Sequence, residues 1–203
     1  MTFDTLRPTV SKLLEPLVRL TADAGISPNI VSMISLLFAL LAGLLYYYSA
    51  FDPMLVLVAG LLVAINSLLD AMDGLMARYL ERASVRGDFL DHVIDRYSDV
   101  FIICGIFFGG YVDWRIGVIT IVGVLLTSYL GTQAQALKLG RYYGGVIGRA
   151  DRLVLIIASS FFYYVYQGAI YGFSVIEWMM IIICIGSHIT ALQRIAYIWK
   201  QLE

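Results

Sequence analysis

The chain has 203 residues, of which 60 % are hydrophobic and 14 % are charged, and its mean hydropathy is +0.82. A soluble domain carries about 25 % charged residues, so this composition excludes the ordinary soluble class and predicts a polytopic membrane protein. The length leaves room for about six helices of ~20 residues and for no separate soluble domain. We therefore expect one domain over residues 1–203. The near-zero net charge of −1 conceals an asymmetric distribution of charged residues along the chain.

Residues 1–26 precede the first long apolar run and have an amphipathic pattern. This pattern predicts an N-terminal interfacial helix that lies along the membrane surface, with Pro16 ending or kinking it. The apolar stripe of this helix comprises Leu6, Val10, Leu13, Leu14, Leu17 and Val18.

Residues 27–203 are predicted to form a core of six transmembrane helices. Strand-like alternation is absent from the sequence, and lipid leaves only helices or closed barrels as spanning structures. The fold class is therefore an all-α integral membrane protein. The predicted spans are 29–49, 54–79, 88–111, 114–138, 152–171 and 174–199.

Positive charge predicts the orientation of these spans. With an even number of helices, Arg115 is the only clear positive residue on one side, and the side rich in Lys and Arg is the cytosolic one. We therefore expect a multi-pass protein of the cell membrane with both termini in the cytosol. The positive residues assigned to the cytosolic side are Arg7, Lys12, Arg19, Arg78, Arg82, Arg86, Lys138, Arg141, Arg149, Arg152, Arg194 and Lys200.

Four aspartates follow the second apolar run and open the third. On a helix, Asp70 and Asp73 project from one face as i,i+3 neighbours, and Asp91 and Asp95 do so as i,i+4 neighbours. Such carboxylates at a membrane edge carry a desolvation cost of several kcal/mol each, so we expect a cation there. An all-oxygen ligand set suits Mg²⁺ or Mn²⁺. Four aspartates can hold two such ions about 3.5–4 Å apart, which favours phosphoryl chemistry.

The segment 70–95 also contains glycine, alanine and arginine at fixed spacings, and its complete pattern is DxxDGxxARx8Gx3Dx3D. This pattern resembles the signature of the CDP-alcohol phosphotransferases, integral membrane enzymes that make phospholipid headgroups. The resemblance extends to the chain length, the spanning pattern and the Ser-Pro-Asn turn at 27–29. The matching residues are Asp70, Asp73, Gly74, Ala77, Arg78, Gly87, Asp91 and Asp95.

The resemblance implies that all four aspartates bind the metal ions and that Asp95 is also the general base. It further implies that a CDP-linked lipid lies against the Gly-x-x-Ala-Arg element and the start of the first span. Helix packing by the small residues and simple capping by Ser27 are the alternatives for these two segments. The residues expected to bind the CDP-lipid are Asn29, Ile30, Val31, Ser32, Asp70, Gly74, Ala77, Arg78 and Ser84.

A basic cluster surrounds the glycine-rich segment 140–148. Its first interpretation is anchoring against anionic lipids. The resemblance to the phosphoinositide branch of the family implies instead that it binds the phosphate of the acceptor, for which the planar fork of arginine is suited. Gly148 stands where that branch has an acidic residue. The residues expected at the acceptor phosphate are Lys138, Arg149, Arg152 and Arg194.

Asp99, one turn after Asp95, extends the same helix face beyond the family pattern. It is expected to accept hydrogen bonds beside the metal ligands or to pair with Arg96, and direct metal binding is the weaker alternative.

The resemblance implies transfer of a phosphatidyl-type group, preferably archaetidyl, from a CDP-linked lipid to a hydroxyl of inositol phosphate, with release of CMP. Glycerol phosphate is an alternative acceptor, as in enzymes similar to phosphatidylglycerol phosphate synthases. A divalent-cation transporter is the alternative from another class, although it would distribute its carboxylates through the membrane depth. The expected partners are membrane lipids and a second copy in a homodimer, and no nucleic acid.

Overall fold

The computed structural model describes residues 7–82, 84–140 and 142–202, with the backbone alone for residues 7–10. Within these ranges the regular structure is helical, apart from one isolated β-bridge between Ile170 and Phe173. The predicted all-α class is confirmed. The helices are α1 (Arg7–Asp23), α2 (Pro28–Tyr48), α3 (Pro53–Tyr79), α4 (Val85–Phe108), α5 (Trp114–Ala136), α6 (Arg149–Val165) and α7 (Val175–Gln201).

Four of the described helices, α2, α3, α5 and α7, are long and apolar enough to cross a membrane. Helix α6 has only 17 residues, and the first half of α4 carries several charged side chains, which lowers its hydropathy. The long apolar helices agree with the membrane-protein class that the composition indicated.

Helix α1 continues through Pro16, so of the two effects expected of this proline, an end of the helix is wrong. Leu14 and Val18 are each 2 % exposed because they pack against apolar side chains of α2 and α3. Leu13 is 77 % exposed, so the predicted stripe is divided between a face packed on the bundle and a face open to the surroundings. Two members of that stripe, Leu6 and the side chain of Val10, lie outside the described residues.

The six helices after α1 pack in a closed circuit. Helix α2 contacts both α3 and α4, α3 contacts α6, α6 contacts α7, α7 contacts α5, and α5 contacts α4. The closest crossing of α2 and α4 occurs at Gly43 and Gly105, where an added Cβ on Gly105 would collide with the backbone of Gly43. Small residues allow this close approach of two backbones in a membrane helix pair. The circuit places the end of α3 and the beginnings of α4 and α6 side by side.

A buried polar clamp fixes α3 against α2 just before the aspartates. Asn66 is fully buried, and its Nδ2 donates hydrogen bonds to the carbonyl oxygen of Ser35 at 3.0 Å and to its Oγ at 2.8 Å. Polar groups away from water are stable only when paired, so this clamp sets the rotation of α3. Asp70 and Asp73 follow Asn66 by one and two turns on the same face.

The predicted spans match the observed helices within two residues except in α4 and α6, and α4 begins at Val85, three residues before the predicted start at 88. Helix α6 ends at Val165 rather than at 171, because Tyr166 has an extended backbone and the chain then turns through the bridged segment 170–173. Helix α4 ends at Phe108 rather than at 111, because Gly109 caps it and Gly110 has a left-handed φ of +84°. Helix α6 also begins at Arg149, three residues before the predicted start at 152.

Candidate active site

The last turns of α3 carry the first aspartate pair of the motif. Asp73 is 5 % exposed, and the Oγ of Ser32 on α2 donates a hydrogen bond to its Oδ2 at 2.5 Å. The structure therefore joins a residue expected at the metal with one expected at the CDP-lipid. Val31, beside Ser32, is buried against α1 and α3, whereas Asn29 and Ile30 are exposed at the start of α2.

Close to Asp73, three further aspartates from two helices converge. Asp70 of α3 and Asp91 and Asp95 of α4 each offer a carboxylate oxygen, and these oxygens lie within 4.8 Å of one another. Asp70 Oδ1 is buried without a hydrogen-bond partner among the described residues, so it remains available as a ligand. An anionic, all-oxygen set of this kind fits a hard divalent cation. A neighbouring group joins Asp91 to Asp88 and His92 over the same range of distances.

Arg149, the first residue of α6, enters this carboxylate cluster. Its Nη1 lies 2.6 Å from Asp70 Oδ2 and 2.5 Å from Asp95 Oδ1. One turn later, Arg152 Nη2 lies 2.7 Å from Asp99 Oδ2, and both of these side chains are buried. Two arginines expected at the acceptor phosphate thus contact aspartates of α3 and α4, because α6 packs beside α3 at this end of the bundle.

Arg96 completes the ion-pair network on the other side of Asp95. Its Nη1 donates to Asp95 Oδ2 at 2.9 Å, and its Nε donates to Ser128 Oγ on α5. Asp99 forms its ion pair with Arg152, and Arg96 forms its ion pair with Asp95. The expected pairing of Asp99 with Arg96 is therefore wrong. Ser128 was not singled out from the sequence, and Arg96 was expected only as a partner of Asp99.

The other two residues expected at the acceptor phosphate lie farther round the bundle. Arg194 of α7 is buried and donates from Nε to the Gly144 carbonyl oxygen at 3.0 Å and from Nη1 to that of Thr127 at 2.6 Å. It therefore ties the loop before α6 to α5. Lys138 is exposed just after α5, with a left-handed φ of 61°. The positively charged Arg141 of the same loop lies outside the described residues.

The remaining motif residues lie where α3 ends and α4 begins. The guanidinium nitrogens of Arg78 lie 3.9 and 4.0 Å from the position that a Cβ on Gly74 would occupy, so this arginine folds back over the glycine. Ala77 is half-buried on the same turn. Ser84 caps α4, since its Oγ accepts a hydrogen bond from Gly87 N at 3.1 Å. In the sequence, these positions lie between the aspartates of α3 and those of α4.

The capping expected at the start of α2 is only partly present. Pro28 occupies the first turn of α2, and Ser27 has the extended backbone of an N-cap residue. Within the described part of the chain, however, the Ser27 side chain makes no capping hydrogen bond.

The family profile described as CDP-alcohol phosphatidyltransferase matches residues 25–189, which include the cluster and the helices that carry it. The chain therefore belongs to this family of phospholipid-synthesising enzymes, and the predicted resemblance is confirmed. In particular, it is 33 % identical over 198 residues to archaetidylinositol phosphate synthase from Pyrococcus horikoshii, which covers 98 % of this chain and 97 % of that protein. An uncharacterized protein from Aquifex aeolicus is 32 % identical over 202 residues, covering 98 % and 95 %.

The fold is also similar to crystal structures of phosphatidylinositol phosphate synthase from Mycobacterium tuberculosis. The structure with CDP-DAG bound has a TM-score of 0.77 at 25 % identity, covering 93 % of this chain and 94 % of that one. The structure in complex with manganese and citrate has a TM-score of 0.75 at 24 % identity, covering 91 % and 88 %.

Proposed function

We propose that this enzyme transfers the phosphatidyl-type group of a CDP-linked lipid to a hydroxyl of inositol phosphate and releases CMP. The observation that carries the proposal is the meeting of the motif aspartates with the arginines of α6 at one end of the helix bundle. Carboxylates suit the cations that accompany a diphosphate, and arginines suit a second phosphate. A site for two phosphorylated substrates needs both groups in one place.

The preferred donor is CDP-archaeol, which makes the product archaetidylinositol phosphate. The support is the full-length similarity to the Pyrococcus horikoshii enzyme of that name. The Mycobacterium tuberculosis structure with CDP-DAG bound supports a CDP-lipid as the donor class. The residues proposed to contact this donor are Asn29, Ile30, Gly74, Ala77, Arg78 and Ser84. Val31 and Ser32 are buried, and they are proposed to line the donor site on the side that faces the helix bundle.

The carboxylate cluster is proposed to hold two divalent ions, Mg²⁺ or Mn²⁺. Asp70, Asp91 and Asp95 would be ligands through the oxygens that already converge, and Asp73 would join them by releasing the hydroxyl of Ser32. When bound, such ions supply positive charge at the diphosphate and stabilise the charge on the attacking and leaving oxygens.

Asp95 is proposed to act as the general base. The acceptor hydroxyl passes its proton to a carboxylate oxygen of Asp95 while its own oxygen bonds to the lipid-side phosphorus. The bond from that phosphorus to the oxygen of CMP then breaks, and CMP leaves with that oxygen. Arg96 orients Asp95 through Oδ2, which leaves Oδ1 as the oxygen for proton transfer.

The acceptor phosphate is proposed to lie against the basic cluster. Arg149 and Lys138 are the members able to touch it, because Arg149 has spare donors and Lys138 is exposed. Arg152 and Arg194 are buried, and they are proposed to contribute positive charge rather than direct contacts. Arg152 pairs with Asp99, and Arg194 holds the loop before α6 through its hydrogen bonds to the carbonyl oxygens of Gly144 and Thr127.

The enzyme is proposed to be a multi-pass homodimer in the cell membrane, with both termini and the active site on the cytosolic side. In this arrangement α4 and α6 also span the bilayer, which makes six spans, and α1 lies at the interface. The division of α1 into a packed face and an exposed apolar face supports this placement.

The two alternatives are less well supported. A transporter would require carboxylates along a path through the membrane, whereas the described motif aspartates gather at one end of α3 and α4. Glycerol phosphate as the acceptor is disfavoured because the full-length relative and the similar crystal structures are inositol phosphate lipid synthases.

The test offers the purified protein a panel of CDP-lipids and phosphorylated polyols, with measurement of CMP and identification of the lipid product. Metal-dependent CMP release with inositol phosphate, and its loss on chelation, is the expected result. CMP release only with glycerol phosphate would reassign the acceptor, and no CMP release with any pair would overturn the transferase proposal.

A further inference from the structure

Arg149 contacts the same carboxylates that the proposed function assigns to the metal. A single nitrogen, Nη1, lies within 2.6 Å of Asp70 Oδ2 and within 2.5 Å of Asp95 Oδ1, so it bridges α3 and α4. The three side chains are only 13–21 % exposed, which keeps water from screening these contacts.

We propose that Arg149 is a positioning residue that competes with the divalent cation for Asp70 and Asp95, and that cation binding moves its guanidinium toward Asp99 and the acceptor phosphate. This inference rests on the proposed metal site. A guanidinium in contact with the carboxylates of Asp70 and Asp95 disfavours a divalent cation on the same two carboxylates, because both are positive. Through these contacts Arg149 links α3 to α4.

The displaced guanidinium has partners within reach. Arg149 Nε lies 3.8 Å from Asp99 Oδ1, whereas Arg152 pairs with the other oxygen, Oδ2. Nε and Nη2 of Arg149 are buried without hydrogen-bond partners among the described residues. The side chain can therefore turn about Asp99 and present unused donors to an anionic group.

The backbone next to Arg149 is fixed, so the exchange involves the side chain. Ile147 N donates to Thr190 Oγ1 at 3.0 Å, and Thr190 Oγ1 also contacts the Ile147 carbonyl oxygen at 3.2 Å. Gly148 N donates to Asp151 Oδ2 at 2.8 Å. Movement of the guanidinium would also remove one donor from Asp95 Oδ1, the oxygen that the proposed reaction uses to accept a proton.

The test is a Mn²⁺ titration of the purified full-length chain without substrates, read by the EPR signal of free Mn²⁺. Arg149→Gln is expected to bind Mn²⁺ about tenfold more tightly than the wild type, because one competing positive charge is gone. Arg149→Lys keeps the charge but not the fork, so its affinity should lie between the two. The matched control is Arg86→Gln, an exposed arginine on the first turn of α4, and its affinity should stay within about twofold of the wild type.

Melting temperatures supply a second readout. Metal-free Arg149→Gln should melt below the metal-free wild type, and Mn²⁺ should raise its melting temperature by more than it raises that of the wild type. If Arg149→Gln fails to fold, Arg149→Lys decides the matter in the same titration. Equal or weaker Mn²⁺ binding in the folded variants would overturn the competition while leaving the metal site intact. A wild type that binds no Mn²⁺ would overturn both.

Discussion

Arg152 and Asp99 form a buried ion pair between α6 and α4, with Arg152 3 % exposed and Asp99 6 % exposed. Removing one partner of such a pair leaves an unpaired charge away from water. Arg152→Gln should therefore lower the free energy of unfolding by about 3–5 kcal/mol, measured as a lower melting temperature of the purified protein. The double variant Arg152→Gln/Asp99→Asn should recover part of the loss. An unchanged melting temperature in the single variant would contradict the buried pair.

Asp95 is held between Arg96 and Arg149, and its proposed role is to accept a proton. Asp95→Asn should lower kcat by roughly 10²–10⁴, the usual contribution of a general base. CDP-lipid binding, measured by titration without acceptor, should remain detectable because the amide keeps the size of the side chain and one of its two acceptor oxygens. Asp23→Asn, at the exposed end of α1, is the matched control and should keep the wild-type rate. A folded Asp95→Asn protein with wild-type turnover would exclude Asp95 as the base.

At the scale of the helices, the crossing of α2 and α4 depends on the absence of a side chain at Gly105. Gly105→Ala should force the two backbones apart and lower the free energy of unfolding by about 1–3 kcal/mol. Gly87→Ala is the matched control on the same helix, since its new Cβ would meet only Ser84 Oγ at 3.4 Å. Thermal unfolding of both proteins measures the difference. Similar losses at the two positions would mean that the crossing tolerates a methyl group.

Helix bounds were largely predictable from the sequence, because each apolar run and its capping residues are local signals. The neighbours of each helix were not. Arg149 meets Asp70 across 79 positions of sequence, and only the packing of α6 against α3 brings them together. The pairing of Asp99 with Arg96 was wrong for the same reason, since its partner Arg152 lies on another helix, whereas the expected role of Asp99 as a hydrogen-bond acceptor agrees with this contact.

The motif itself made the carboxylate cluster predictable, because its spacing places Asp91 and Asp95 on one face of α4 and Asp70 near the end of α3. The hydrogen bond from Ser32 to Asp73 was not predictable, although both residues were singled out. Local spacing determines which face a side chain occupies, and the rotation of α3 against α2 determines what that face meets.

At the scale of the whole molecule, the proposed acceptor site lies where the basic cluster around residues 140–148 meets the carboxylate end of the bundle. If a phosphate on the acceptor binds there, free inositol should be a poor substrate, because a lost charge-assisted hydrogen bond is worth about 1.5–3 kcal/mol. The ratio of kcat/KM for inositol phosphate to that for inositol should then be roughly tenfold or more. Initial rates of CMP release with each acceptor measure it.

Lys138 tests the same surface without disturbing a buried pair, since it is exposed just after α5. Lys138→Gln should raise KM for inositol phosphate severalfold and leave the affinity for the CDP-lipid nearly unchanged, because the donor lies against α2 and α3 in the proposed arrangement. Lys12→Gln, which changes an exposed lysine on α1, is the matched control with the same change of charge.

Equal kcat/KM for inositol and inositol phosphate in the wild type would refute the proposal that the acceptor carries a phosphate. The aspartate cluster would still define a CDP-alcohol phosphatidyltransferase, because its assignment does not depend on the acceptor.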